Sequence, residues 1–342
     1  MSVPKIKIAQ PEDQRRWDDF VEELKGGPYI FWAWKEAVER AYGHQGYYLL
    51  AEEGNEVVGI LPLILFRVPF KRPFLVSLPF CDYGGTLVRK KNILPALLKE
   101  ALSLKESLKA RGLEVRFAYR PCDLPSDQNT TEKVRLILEL PPQAEDLWKA
   151  LKSKVRSQVR RPLKEGAEVS VGGLDLLGAF YHIYRENMHF LGSPAHSLAW
   201  FKAILHYYGD RAQIVLVHKD NTPLAAGIIL FSKDTATVPW ASSLRAYKRI
   251  SPNMLLYWQF LSLAAEKGLN FFDFGRSTPG EGTYRFKKQW GARPFPLYWY
   301  QEPPPREDKK PHIRPLLEKT WRKLPKGMVN WLGPRLRGYI AL

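Results

Sequence analysis

Cysteine is nearly absent: Cys81 and Cys122 are the only two in 342 residues. Neither belongs to a CxxC pair or a Cys/His cluster, so no metal site is expected. Long apolar runs are missing too. The longest, Val57–Phe66, holds Pro62 and is far too short to cross a bilayer. Met1–Gln10 mixes polar and apolar residues and does not read as a signal peptide. These absences predict a soluble protein of a reducing, cytoplasmic setting. Acidic residues are scarce, 35 against 52 Lys and Arg, leaving a net charge of +17. That excess points to an anionic partner, whether nucleic acid, anionic lipid or a phosphorylated substrate, and does not choose among them. What the chain has in quantity is core material. Hydrophobic residues make up 45% and aromatics 13%, enough for two domains of ordinary size.

The chain repeats itself. Trp34, Ala37, Tyr42 and Gly43 recur 166 residues later as Trp200, Ala203, Tyr208 and Gly209. The match runs on without a gap to Asn55 and Asn221. Each copy reads as an amphipathic helix stopped by Tyr-Gly, then an apolar strand, a polar turn and a second strand. The turns are Glu53-Gly54-Asn55 and Lys219-Asp220-Asn221. A shared block of this length, offset by half the chain, argues for two related domains. Pro141-Pro142 marks the boundary between 1–142 and 143–302. A basic extension, 303–342, follows; its Trp and Leu residues alternate with Arg and Lys. It suits peripheral contact with a membrane surface or a wrap back over the domains.

Three regions of the second half are candidates for chemistry. Ala144–Glu165 reads as one helix, with Leu147, Leu151, Val155, Val159 and Leu163 every four residues. Lys152, Arg156, Arg160 and Lys164 run beside that stripe at the same spacing. Like charges so placed cost helix stability, which argues that Arg156 and Arg160 face an anion; the alternative is a solvated face. Pro162 should end or kink the helix. Next, Arg245, Lys248 and Arg249 occupy a basic loop, and Ser251-Pro252-Asn253 opens a helix through Lys267. The free N–H groups of such a helix start attract phosphate or carboxylate, which adds Ser251 and Asn253 to the binding candidates. Last, Phe271–Phe274 is a short apolar strand entering a loop with Gly275, Arg276, Ser277, Gly280 and Gly282. It leads into Tyr284-Arg285-Phe286-Lys287-Lys288-Gln289-Trp290. A strand, a glycine loop and a cluster of cations suit an oxyanion at a sheet edge; the plainer alternative is a hairpin with a solvated basic tip. His182, His189 and His196 are spaced by seven, but Pro194 breaks their helix and no carboxylate completes a metal set, so packing is their expected role.

The repeat, Phe272-Asp-Phe-Gly-Arg276-Ser277 and the segment through Trp290-Gly291 together resemble the FemAB family of acyl- and aminoacyltransferases. The likeness is nearer to the FemAB-related proteins found with exosortase/PEP-CTERM exopolysaccharide systems. It includes Cys81-Asp82-Tyr83-Gly84-Gly85, Lys154 to Arg161 and Asn187 to Ser197, and covers roughly 15–300. The resemblance implies an α+β fold of two tandem GNAT-like domains, with mixed, mostly antiparallel sheets flanked by helices. It implies amide-bond formation on an amine of a cell-envelope, peptidoglycan or exopolysaccharide precursor. It also implies an aminoacyl-tRNA or acyl-CoA donor, no tightly bound cofactor, and an anionic or lipid-linked sugar as partner. Phe286-Lys287 matches the family's Phe-Lys motif, so Lys287 takes the role of stabilising the transition state.

The residues suit that chemistry. Attack of an amine on an ester or thioester builds an oxyanion, which an ammonium and backbone N–H groups stabilise. Asp273 is a candidate acceptor for the amine proton, or else a partner for Arg276 or Lys287. Arg276, Ser277, Arg245 and Lys248 are candidates for phosphate, and Tyr284 and Phe286 for the substrate wall. One departure stands out. A GNAT enzyme normally carries a Gly-rich turn for the CoA pyrophosphate, and Arg249-Ile-Ser-Pro-Asn253 has no glycine. The competing readings are an acyl-CoA-dependent N-acetyltransferase acting on an amino sugar and a non-enzymatic anion-binding module.

Overall fold

The computed structural model describes residues 4–121, 131–304 and 313–341. Cys122 lies outside them. The repeat is visible as structure. Trp32–Tyr42 and Leu198–Tyr208 are helices of 11 residues each, again offset by 166. Gly43 and Gly209 end them at positive φ, a conformation open to glycine because it has no Cβ. The two helices pack against each other at the centre of the molecule. Trp34 meets Trp200 edge-on at 5.3 Å and stacks on Trp240 at 6.1 Å. All three indoles are buried in one core cluster that takes residues from both halves.

The first half forms two sheets. The first orders Lys5–Ile8, Leu49–Glu53, Glu56–Leu61 and Leu87–Val88, all antiparallel. The second orders Tyr298–Glu302, Leu113–Phe117, Phe74–Val76, Ile64–Phe66 and Gln45–Gly46. The apolar run Val57–Phe66 is thus two strands: Pro62 has no N–H for a ladder, and the sheet divides there. The second half forms one sheet of seven. Its order is Glu168–Gly172, Ala212–Lys219, Thr222–Phe231, Thr235–Ser243, Phe271–Ser277, Val134–Glu139 and Arg293–Pro296. Only Thr235–Ser243 and Phe271–Ser277 are parallel neighbours in it.

Each half lends the other a strand. Val134–Glu139, which precedes Pro141-Pro142, pairs with Phe271–Ser277 in the second sheet. Tyr298–Glu302, at the far end of the second half, pairs with Leu113–Phe117 in the first. The two positions are equivalent: each lent strand lies beside the second member of a parallel pair.

The helix expected over Ala144–Glu165 is two, Ala144–Ala150 and Ser153–Lys164, joined by Leu151 and Lys152 in extended conformation. Successive residues turn by about 100°, so a stripe spaced every four drifts about 40° per step. Five such residues cannot share one face of a straight helix. The break returns Leu147, Leu151, Val155 and Val159 to the core and leaves Leu163 49% exposed. Pro162 does not end the second helix, which runs to Lys164. The basic extension folds back over the domains. Its helices Ile313–Lys323 and Lys326–Arg337 bury Trp321, Val329 and Gly333. The Ala341 carbonyl accepts the Phe80 N–H at 2.7 Å.

Candidate active site

The parallel strands Thr235–Ser243 and Phe271–Ser277 pair at three positions, 235–237 against 271–273. Beyond these the ladder stops, although both strands continue. Their far ends diverge at the side where the helix Pro252–Glu266 begins. Strand C-termini and a helix start at the same end of a sheet form a crevice suited to a ligand.

Phe271–Ser277 changes character midway along. Phe272 and Phe274 are buried in the second core. Gly275 follows at φ +73°, and a Cβ there would lie 3.0 Å from Asp82 Oδ2. The positive φ calls for glycine, and the close carboxylate leaves little room for a side chain. The close neighbour comes from the first half: Asp82 belongs to the Cys81–Gly85 segment. Its Oδ2 accepts the Arg276 N–H at 2.9 Å, and its Oδ1 lies 3.3 Å from Arg276 Nε. The two sequence motifs, far apart in the chain, thus meet across the domain junction. Trp299, on the lent strand, takes the guanidinium of Arg116 at 4.9 Å and that of Arg276 at 5.6 Å on its ring.

Lys287 lies in the helix Gly282–Lys288, where the sequence suggested a loop. Its ammonium is turned inward, 8% exposed, and donates to the carbonyls of Gly275 at 3.1 Å and Arg276 at 2.8 Å. Burial lowers its pKa to about 8, while Asp82 and Asp273 oppose that shift. Asp273 is fully buried. Its Oδ1 accepts the Gly275 N–H at 2.8 Å. Its Oδ2 lies 3.5 Å from Arg135 Nη1, so its ion-pair partner is Arg135, rather than Arg276 or Lys287. Burial raises the Asp273 pKa against the pull of Arg135. Gly275 is therefore gripped on both sides, its N–H by Asp273 and its carbonyl by Lys287. Ser277 is buried, and its hydroxyl has no hydrogen-bond partner among the described residues.

A cavity of about 540 Å³ lies between the halves, lined by Lys25, Tyr83, Glu139, Asp234 and Arg293 among others. Arg135 touches both this cavity and Asp273, and its guanidinium lies over the Tyr83 ring at 5.1 Å. Lys287 does not line it.

The other candidates are dispersed. Arg245 and Lys248 are exposed on the turn Arg245–Ile250, with Arg245 3.9 Å above the Phe190 ring. Ser251 precedes the helix as expected and Pro252 is its first residue, but the Ser251 side chain caps nothing and its φ is +61°. Asn253 is half-buried in the first turn. Phe286 packs on Tyr257 and Trp290 as part of the core, and the Tyr284 ring lies under Lys288. Arg156 donates to the Lys149 carbonyl and Arg160 lies over Trp148. Both line a separate groove of about 450 Å³ with Ser153, Ser157, Arg161 and Lys164. Among the described residues no three His, Cys, Asp or Glu side chains converge as a metal site. His196 instead is buried, with Nδ1 2.7 Å from the Tyr42 hydroxyl. Sequence reasoning missed Arg135. Its one signal was a cation inside the apolar strand Val134–Glu139.

Residues 153–288 match the family described as acetyltransferase (GNAT) domain. The second half carries a GNAT-type domain. The solved structure of FemX is 16% identical and superposes with a TM-score of 0.68, covering 86% of this chain and 97% of FemX. L-PGS from Bacillus licheniformis is 15% identical at TM-score 0.56, with 93% and 99% covered. A tandem GNAT protein from the clavulanic acid biosynthesis pathway is 11% identical at TM-score 0.53, with 89% and 100% covered. At these identities the likeness is one of fold, and the fold is the tandem GNAT-like α+β architecture. A sequence search of curated proteins finds no match. The matched domain supports acyl transfer as the reaction class.

Proposed function

We propose that the protein is a FemAB-like acyltransferase that joins an acyl group to an amine on an anionic cell-envelope or exopolysaccharide precursor. The observation that carries this reading is the ammonium of Lys287, buried beside the diverging ends of the parallel strands. An amine attacking the donor carbonyl forms the new C–N bond and pushes the carbonyl electrons onto oxygen. The tetrahedral species collapses by expelling the thiolate or alkoxide, and the amine proton leaves to a base. A cation at that strand edge stabilises the oxyanion, and low exposure to water strengthens its effect. Asp273 positions this assembly through the Gly275 N–H. Its pairing with Arg135 speaks for that role over proton acceptance.

The donor we favour is an acyl-CoA, after the acetyltransferase description of the matched domain. It would lie in the crevice by Pro252–Glu266, with the Arg245 and Lys248 turn at its phosphate end. One observation favours an aminoacyl ester instead: 249–253 offers no glycine, and Pro252 no N–H, for a pyrophosphate. Incubation of the protein with each donor class and a panel of amino-sugar and amino-acid acceptors, read by mass spectrometry, tests the choice. Lys287→Ala should lower turnover by roughly 10²–10³ with little change in the donor's KM. Unchanged turnover in that variant would remove the assignment.

A further inference from the structure

Phe70 is wholly exposed and sits at φ +60°. A bulky L-residue in the left-handed region is strained, and an aromatic ring in water has unfavourable hydration. The ring tips the loop between strands Ile64–Phe66 and Phe74–Val76, flanked by exposed Arg67, Lys71 and Arg72. Pro69 and Lys71 of this loop share a groove of about 430 Å³ with Tyr339, just beyond the last helix. That helix, Lys326–Arg337, is buried on one side only, and a Cβ added at Gly333 would lie 3.3 Å from the Ala195 backbone nitrogen. Its other side presents Met328 at 49% and Trp331 at 60% exposure, with Arg335 over the Trp331 ring. One helical face, three and four residues apart, therefore runs Met328, Trp331 and Arg335, and exposed Tyr339 follows just past the helix end.

We propose that Phe70 and the outer face of Lys326–Arg337 form one docking surface for an anionic lipid bilayer. Aromatic and aliphatic tips ringed by cations are the chemistry of a membrane-interface contact, where rings enter the headgroup boundary and Lys and Arg meet lipid phosphates. The charge is of one sign: the Phe70 loop carries no acid, and 313–341 carries seven Lys and Arg against Glu318 alone. A second copy would set like charges face to face, which disfavours self-association as the use of this surface. The segment lies on the bilayer rather than through it, since no helix among the described residues is long and apolar enough to span.

Flotation of the full chain with lipid vesicles at physiological salt tests this without any acyl donor or acceptor. Vesicles containing phosphatidylglycerol should carry the protein and pure phosphatidylcholine vesicles should not. Phe70→Gly should weaken that partitioning about tenfold or more, while its melting temperature holds or rises, because glycine is at ease at this φ. Adding Trp331→Ser should remove flotation. No flotation of the wild type, or equal flotation of the double variant, would overturn the proposal; the latter would mean charge binding elsewhere on the molecule. Dimerisation that Phe70→Gly dissolves would overturn it too, by making a second copy the occupant.

Discussion

Lys287 carries most of the chemistry proposed, and its burial has a consequence in pH. The charged form is the one that stabilises an oxyanion, and it fades as pH rises through about 8. Turnover should therefore fall above pH 8, where an ordinary lysine would hold its proton to about 10.4. A kcat profile rising through pH 8 would instead make Lys287 a base. Stability has the opposite sign. The unfolded chain binds the Lys287 proton more tightly than the fold does, so raising pH from 8 to 10.5 favours the fold. The stability of wild type relative to Lys287→Met should rise over that window by about 3 kcal/mol, read as the difference between urea titrations at the two ends. Lys287, Asp273, Arg276 and Gly275 stood out as candidates in the sequence because they share one short segment, 273–287. The pairing was not. Asp82 reaches Arg276 from 194 positions away, and Arg135 reaches Asp273 from a strand lent by the other half. Composition and spacing are local quantities and carry no sign of such meetings.

At the scale of elements, the repeat was legible because both copies keep the same helix length and the same Tyr-Gly stop. Each packs its Trp against the other, so identity and register both matter. Trp200 touches Trp34, Tyr42, Phe80 and Trp240 and is fully buried. Trp200→Ala should cost about 3–5 kcal/mol, seen as a lower denaturation midpoint with an unchanged slope. The helix at Pro252 was equally plain from its opening residues. The striped segment 144–165 misled about length: even spacing of four looks like a helix face, and only the accumulated drift of its apolar residues shows that a straight helix cannot hold it. Its charges face solvent around their own groove, remote in sequence from Lys287 and absent from its contacts.

For the molecule as a whole, the exchange of strands makes the halves interdependent. The five-stranded and the seven-stranded sheet each take a strand from the other half, and the central aromatic cluster belongs to both. Chemical denaturation should give one cooperative transition by fluorescence and by circular dichroism, with coincident midpoints. Two separated transitions would mean that the halves stand alone. Sequence reading does not reach this feature, because strand partners far apart in the chain are selected by the assembled core. The exchange also bears on synthesis. Leu113–Phe117 emerges from the ribosome long before its neighbour Tyr298–Glu302 has been translated. At roughly 5–20 residues per second, the edge of a nascent N-terminal half would stay open for about ten seconds or more. During that interval a chaperone, or the slow codons that pace translation, would decide whether the open edge waits for its own strand or takes one from a neighbouring chain.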